Sequence, residues 1–174
     1  LQAQNANERL NVAFIGVGGR GGANLRTMTE TGMANVVALC DVCKPRLDGA
    51  VKRATEKQGF AVDAYRDYRE LLARDDLHAV LIASPEHWHA KMAEDAIAAG
   101  LDVYLEKPMT LRLKDALRLK KVVEASDRRL QVGTQYMMVP KYREAQKLIA
   151  EGAIGKPTLS QTSYCRNSRD GEWL

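Results

Sequence analysis

The sequence predicts an α/β fold in which a doubly wound, parallel β-sheet carries helices on both faces. Short apolar runs rich in β-branched residues alternate with segments of helical periodicity, and six such strand–helix units follow one another. No internal repeat or Pro-rich linker interrupts the series. The first apolar run leads directly into "IGVGGRGG", which places five glycines in eight positions. Regular alternation of this kind is typical of a parallel sheet covered on both sides.

Each element follows from local sequence signals. Glycines close four of the predicted helices, and Pro45 lies in the first turn of one of these, residues 44–59, where its fixed φ is compatible with a helix. Thr110 is predicted to cap the helix that follows it. The predicted strands cover residues 11–17, 35–42, 63–68, 77–84, 101–107 and 130–135. The predicted helices cover residues 21–32, 44–59, 69–74, 87–100, 110–127 and 140–152.

Composition excludes several classes of protein. The 174 residues are 45% hydrophobic and 28% charged, which is an ordinary globular balance. The net charge of +4 comes from basic residues scattered over the predicted helices, so we expect solvated helix faces and no nucleic-acid partner. No apolar run approaches the roughly 20 residues that span a membrane, and we predict no membrane span.

The cysteines predict neither a disulfide framework nor a metal site. There are three, Cys40, Cys43 and Cys165, and an odd number in a chain of this length is not a disulfide pattern. Cys40 and Cys43 form a C-x-x-C, but no second ligand pair completes a tetrahedral zinc site. Cys40 ends an apolar strand, so we interpret it as a buried core residue and predict no metal.

The glycines match a dinucleotide-binding fingerprint. Gly16, Gly18 and Gly21 fit G-x-G-x-x-G after the first strand, and Asp41 ends the second strand about 20 residues further on. Gly16 would allow the tight turn, Gly18 the approach of a pyrophosphate, and Gly21 close packing of helix and strand. We also assign Gly19 and Arg20 to the cofactor site.

Asp41 indicates which dinucleotide binds. A carboxylate at this position can accept both ribose hydroxyls of NAD and would repel the 2′-phosphate of NADP, so we predict a Rossmann domain that binds NAD. NADP stays the alternative, because Lys44 and Arg46 lie close by and could offset that repulsion. The loop is not a P-loop, since no G-K-[ST] follows it.

Three later strands end in polar motifs that should meet at the same edge of the sheet. In an open α/β sheet, ligands bind outside the carboxyl ends of the strands. The motifs are "ASPEHWHA", "LEKP" and "GTQ". All three should open onto the same edge as the glycine loop. His87 and His89 could form a zinc pair, but no further ligand is evident, so a polar helix entrance near cofactor or substrate is favoured.

The motifs together resemble the Gfo/Idh/MocA family of oxidoreductases. They are "GVGGRG", "CDV", "SPEHWHA", "EKPMT", "VGTQ" and "LIAEGAIGKP", and the resemblance extends from Asn11 to Pro157. It implies an NAD(P)-dependent enzyme of two domains that acts on a sugar or polyol. It also implies a C-terminal α+β domain that supplies much of the substrate pocket and a homo-oligomer interface.

The resemblance assigns the catalytic role to Lys107. Lys107 lies in the family's E-K-P tripeptide, where a lysine can exchange a proton with the substrate hydroxyl. Glu106 would orient the cofactor or the lysine, and a cis peptide bond before Pro108 is possible. The resemblance thus implies that Ser84, Pro85, His89, Glu106, Lys107 and Gln135 belong to the cofactor site. Ser84 and Pro85 would lie beside the ribose and pyrophosphate, and Gln135 near the nicotinamide or the sugar.

We divide the chain into residues 1–10, a flexible leader; 11–155, the Rossmann domain; and 156–174, the start of a truncated second domain with a β-rich segment from Thr158. The leader could equally be the remnant of a cleaved signal peptide. The resemblance is to a group with many exported bacterial members, which implies a periplasmic or exported location. A cytoplasmic location is the alternative. Two other functions stay open: redox-neutral, NAD-dependent glycoside hydrolysis on the same scaffold, and a non-catalytic cofactor-binding fragment.

Overall fold

A computed structural model of the chain describes residues 9–135 and 139–163. The strands in this part are β1 Asn11–Ile15, β2 Asn35–Cys40, β3 Asp63–Tyr65, β4 Ala79–Ile82, β5 Asp102–Glu106 and β6 Leu130–Gly133. The helices are α1 Gly19–Thr31, α2 Lys44–Gln58, α3 Tyr68–Leu72, α4 Glu86–Ala98, α5 Leu113–Glu124 and α6 Pro140–Ala150. Within the described ranges, no helix is long and apolar enough to cross a membrane.

The six strands form one parallel sheet in the order β3-β2-β1-β4-β5-β6. The chain builds outward from β1 in one direction and then, from β4, in the other. Where the direction of building reverses, the connections leave a crevice at the carboxyl ends of the strands. The predicted doubly wound parallel sheet is therefore confirmed, and its switch point lies between β1 and β4.

Two hydrophobic cores lie on opposite faces of the sheet. Side chains of a strand alternate between the faces, so Ala13 and Ile15 of β1 pack in one core and Val12 and Phe14 in the other. The first core includes buried residues of α3, α4 and α5, and the second includes those of α1 and α2. Burial on both faces explains why the strands read as continuous apolar runs.

Several predicted element limits are wrong. The strand predicted over 63–68 ends at Tyr65, because Asp67 accepts a hydrogen bond from the Arg69 backbone N–H and caps α3, which begins at Tyr68. Helix α5 begins at Leu113, after Arg112. Thr110 does not cap it, because its hydroxyl donates to the Arg112 carbonyl.

The chain divides into two compact units, residues 1–134 and 135–174. The second unit contains α6, which begins at Pro140. Residues 158–163 form neither a strand nor a helix. A strand there would need a neighbouring strand to pair its backbone groups, so the β-rich segment expected from Thr158 stays a prediction. Most of the predicted leader lies outside the described residues. The predicted domain limits at residues 10 and 155 stay predictions.

Candidate cofactor-binding and active site

The glycine loop follows β1 and is held tightly against its neighbours. Gly16 has φ +85°, and a Cβ on it would lie 2.7 Å from the backbone carbonyl carbon and oxygen of Ala83. A Cβ on Gly21 would lie 2.0 Å from the Gly16 carbonyl oxygen. Both positions therefore exclude a side chain, since real Cβ atoms do not approach backbone this closely. The loop turns beneath the end of β4, and α1 starts directly on it.

The N-terminus of α1 opens toward this crevice. The helix begins at Gly19, and Gly18 at its N-cap makes no side-chain capping hydrogen bond. The first backbone N–H groups of such a helix have no intrahelical partner, and the helix dipole makes this end partly positive. A pyrophosphate fits an N-terminus of this kind without further donors.

Asp41 lies just beyond the end of β2, is buried, and binds the backbone on both sides of the crevice. One carboxylate oxygen accepts from the Val17 N–H at 3.0 Å, and the other accepts from the Cys43 N–H at 2.9 Å. Asp41 thus connects the glycine loop to the start of α2. The sequence predicted only its role toward the ribose, because the contact to Val17 depends on β1 and β2 being neighbours in the sheet.

A groove of about 720 Å³ opens at the carboxyl edge of the sheet. Among the predicted site residues, those lining it are Gly16, Gly18, Gly19, Arg20, Asp41, Ser84 and Pro85. Arg46, Arg66 and Trp88 also line it. Trp88 is 45% exposed and meets the ring of Tyr68 edge-on, with centroids 6.5 Å apart. The indole therefore forms a wall of the groove.

Glu106, the last residue of β5, connects the E-K-P segment to α1. Its carboxylate is buried and accepts from the Asn24 side-chain amide at 2.8 Å and from Arg20 Nε at 3.2 Å. The Lys107 backbone N–H lies 3.3 Å from its second oxygen. Sequence reasoning missed Asn24, which gives no signal because it lies inside a predicted helix. Together these contacts fix the end of β5 relative to the glycine loop.

Lys107 follows Glu106 directly, and its side chain is exposed. The Lys107–Pro108 peptide bond is cis. Lys107 thus lies at the carboxyl end of β5. The neighbouring strand β4 ends at Ile82 and leads into the Ser84–Pro85 segment. The E-K-P segment and the nucleotide crevice therefore occupy the same edge of the sheet.

His89, in the first turns of α4, is 1% exposed. Its Nε2 lies 2.7 Å from the Ser84 carbonyl oxygen, and its Nδ1 lies 2.7 Å from the Pro108 carbonyl oxygen. A direct contact between this ring and a cofactor would require one of these contacts to break. The structure thus brings His89, Ser84 and the E-K-P segment together beneath the groove.

Comparison with known proteins assigns this arrangement. A family model described as "Oxidoreductase family, NAD-binding Rossmann fold" (GFO_IDH_MocA) matches residues 10–134. The chain belongs to this oxidoreductase family. The match covers the whole of the sheet and the helices α1–α5. The crevice therefore lies in the family's NAD-binding Rossmann domain.

Individual relatives of the Gfo/Idh/MocA family agree. The chain is 28% identical over 165 residues to an inositol 2-dehydrogenase/D-chiro-inositol 3-dehydrogenase of Lactiplantibacillus plantarum, which covers 93% of this chain and 46% of that protein. It is 27% identical over 172 residues to a glycosyl hydrolase family 109 protein of Shewanella sp. (strain ANA-3), covering 93% of this chain and 36% of that one.

Among solved structures, the chain is similar to scyllo-inositol dehydrogenase from Lactobacillus casei with bound NAD(H) and scyllo-inositol. The TM-score is 0.76 at 25% identity, over 85% of this chain and 43% of that one. The chain therefore spans less than half the length of these relatives.

Gln135, Cys40 and Cys165 are the remaining residues that the sequence singled out. Gln135 belongs to the second unit, and its role at the cofactor site stays a prediction. Cys40 is buried beneath the crevice, and burial, with the nearby Asp41 carboxylate, raises the pKa of its thiol to about 12, so it is not a reactive thiolate. Within residues 9–135 and 139–163, no three His, Cys, Asp or Glu side chains form a group that could hold a metal. Cys165 lies outside the described residues.

Proposed function

We propose that the protein is an NAD-dependent oxidoreductase that transfers hydride between the nicotinamide and a hydroxyl or carbonyl group of a sugar or polyol. One observation carries the proposal: the E-K-P segment and the glycine loop are joined through Glu106, which accepts hydrogen bonds from Arg20 and Asn24 of α1. The side chain proposed to move a proton, that of Lys107, therefore follows directly from a residue anchored to the nucleotide-binding helix.

The chain's own residues would divide the work. The glycine loop and the N-terminus of α1 hold the pyrophosphate, and Asp41 accepts hydrogen bonds from ribose hydroxyls with the lone pairs that Val17 and Cys43 leave unused. Bound NAD supplies the hydride acceptor. Lys107 takes the proton of the substrate hydroxyl as the hydride leaves the same carbon, so that alcohol becomes carbonyl.

Other predicted contacts complete the cofactor site. Ser84 and Pro85 would contact ribose and pyrophosphate from the end of β4, and Gln135 would contact the nicotinamide or substrate. Because the chain spans less than half the length of its relatives, we expect further substrate contacts and a homo-oligomer interface to come from a second domain.

The test measures NAD binding and NADH formation with the protein at its native length. A panel of inositol stereoisomers and aldoses serves as substrates, since inositol dehydrogenases are among the relatives. We expect NADH to accumulate with at least one polyol, and we expect Lys107→Ala to slow this by about 10²- to 10⁴-fold while retaining NAD binding. NAD binding without NADH formation from any member of the panel would count against the polyol assignment.

A second candidate is redox-neutral glycoside hydrolysis, which the glycosyl hydrolase family 109 relative favours. In such a reaction a sugar is oxidised, undergoes elimination, and is reduced again, so that NAD is regenerated. Cleavage of nitrophenyl glycosides with a strict requirement for NAD, but without accumulation of NADH, would support this candidate over the first.

A further inference from the structure

The imidazole of His89 lies between two backbone segments at the carboxyl edge of the sheet. Both of its ring nitrogens are 2.7 Å from a carbonyl oxygen, one of Ser84 and one of Pro108. These segments follow adjacent strands, because β4 ends just before Ser84 and β5 ends at Glu106. The ring itself is 1% exposed and is therefore shielded from water.

Two carbonyl oxygens can only accept hydrogen bonds. A neutral imidazole offers one N–H donor and one lone pair, so it would satisfy one carbonyl and direct its lone pair at the other. At 2.7 Å that second contact would be repulsive. A ring that carries protons on both nitrogens donates to both oxygens, and charge-assisted hydrogen bonds have lengths of this order.

Both carbonyls lie in irregular backbone. Ser84 precedes α4, whose N-cap is Pro85, and Pro108 lies between β5 and α5. Backbone carbonyls outside regular structure take their donors from side chains or water, and His89 supplies one to each. One side chain thus fixes the distance between the end of β4 and the residue that follows Lys107.

We propose that His89 is a positioning residue for Lys107, and that it acts by donating from both ring nitrogens to the Ser84 and Pro108 carbonyl oxygens. Glu106, the residue before Lys107, is held by the hydrogen bond that it accepts from Asn24. Pro108, the residue after Lys107, is held by the contact of its carbonyl oxygen with His89. The Lys107 backbone is therefore held from both sides. This inference rests on the proposed function of Lys107 in proton transfer.

Turnover and NAD affinity should respond differently to the loss of His89. A displacement of about 1 Å in a positioned group can cost about 100-fold in rate. We therefore expect His89→Ala to lower kcat by about 10- to 100-fold, while the Kd for NAD stays within about threefold, since the hydrogen bonds that hold Asp41 come from Val17 and Cys43 and those of His89 go to Ser84 and Pro108. His89→Gln should lose nearly as much, because a single amide offers donors on one side only.

A double-mutant cycle separates positioning from general destabilisation. His89→Gln is measured alone and in a Lys107→Ala background, at the protein's native length, with Lys120→Ala, a change at an exposed residue of α5, as the control. If His89 acts through Lys107, its substitution should change kcat by less than about threefold once Lys107 is absent. An equal loss in both backgrounds would overturn the proposal, as would an equal effect of Lys120→Ala.

Nuclear magnetic resonance tests the same geometry without turnover. In the ¹⁵N-labelled protein, both ring nitrogens of His89 should have the shifts of protonated nitrogens, and a single protonated nitrogen would overturn the double donation. The amide signals of Lys107 and Met109 should move in His89→Gln and not in Lys120→Ala; unmoved signals in His89→Gln would likewise overturn it. These measurements decide the His89 contacts even if the dehydrogenase assay shows that the proposed function is wrong.

Discussion

At the scale of single residues, Lys107 is the side chain on which the proposed chemistry depends. It is exposed, and it follows a glutamate that is 3% exposed and accepts hydrogen bonds from α1. An anchored neighbour and an exposed amine are what a proton-transfer residue requires: a fixed backbone and access to the substrate.

Lys107→Ala should lower turnover by about 10²- to 10⁴-fold, the usual contribution of a positioned acid or base. The Kd for NAD should stay within about threefold, because the proposed pyrophosphate and ribose contacts involve other residues. Lys107→Arg should rescue little, since a guanidinium does not release a proton near neutral pH. Steady-state kinetics paired with a cofactor titration measure both effects.

The matched control is Lys120→Ala. Lys120 is an exposed residue of α5 whose Nζ lies 3.5 Å from the Glu124 carboxylate, and its loss should leave turnover and the Kd for NAD unchanged. If Lys107→Ala kept near-normal turnover, or if it abolished NAD binding, Lys107 would be structural and the proton-transfer role would belong to another group.

Asp41 should determine the preference for NAD over NADP. Asp41→Ala should weaken NAD binding by about 1–3 kcal/mol, the scale for charge-assisted hydrogen bonds, and should reduce the ratio of NAD to NADP affinity. Calorimetric titration with both cofactors gives the ratio. The ratio is the informative quantity, because Asp41 also binds the Val17 and Cys43 backbone and its loss will disturb the loop for both cofactors. Tighter binding of NADP by the unmodified protein would refute the assignment.

The residue scale is also where prediction from sequence was least complete. The strand-end positions of Asp41, Glu106 and Lys107 followed from the pattern of apolar runs. Their partners did not, because Val17 and Asn24 are brought to them only by the order of strands in the sheet. The two carbonyl contacts of His89 likewise depend on the pairing of β4 with β5.

At the scale of elements, the glycine loop and α1 form one packed unit. The start of α1 lies against the turn at Gly16, and the carbonyl of that residue occupies the space that a side chain at Gly21 would need. The loop's conformation and the packing of the helix are therefore coupled. A change that displaces α1 should also open the site where the pyrophosphate is proposed to bind.

Gly21→Ala should destabilise the protein by more than about 2 kcal/mol and weaken NAD binding, because its Cβ would lie 2.0 Å from the Gly16 carbonyl oxygen. Gly49→Ala in the interior of α2 is the matched control. There the new Cβ meets only a terminal nitrogen of Arg53, at 3.2 Å, and the better helix propensity of alanine should leave stability equal or up to about 1 kcal/mol higher. Urea unfolding of both variants, with NAD titration, makes the comparison; equal stabilities would contradict the close packing.

The existence and order of the elements could be predicted well, and their ends less well. Apolar runs and helical periodicity depend on burial on both faces of a parallel sheet, which the sequence records directly. The ends depend on single hydrogen bonds such as the Asp67 cap of α3, and the predicted cap at Thr110 was wrong because the Thr110 hydroxyl binds another carbonyl.

At the scale of the whole molecule, the chain contains a cofactor-binding domain and spans less than half the length of its relatives. A substrate held only from the nucleotide side would be neither oriented nor shielded from water, and both effects contribute to enzymatic rates. The residues of this chain should therefore be sufficient for NAD binding but not for efficient turnover of substrate.

The 174-residue chain on its own should bind NAD well but should turn over polyols poorly. The Kd for NAD should lie within about tenfold of that of the protein at its native length, while kcat/KM should be lower by at least about 100-fold. Calorimetry and an NADH assay on the same preparations measure both. Robust polyol oxidation by the purified chain without a second polypeptide would show that the substrate site is complete within these residues.

The most direct test of the central claim is to follow the appearance of NADH when NAD and a polyol labelled with deuterium at the reacting carbon are added to the protein at its native length. The proposed reaction predicts that NADH accumulates in equal amount to the ketone, that deuterium moves from the polyol carbon to the nicotinamide, and that Lys107→Ala suppresses both while still binding NAD. Cleavage of a glycoside without any accumulation of NADH, or bound NAD that never receives deuterium from any polyol of the panel, would contradict it.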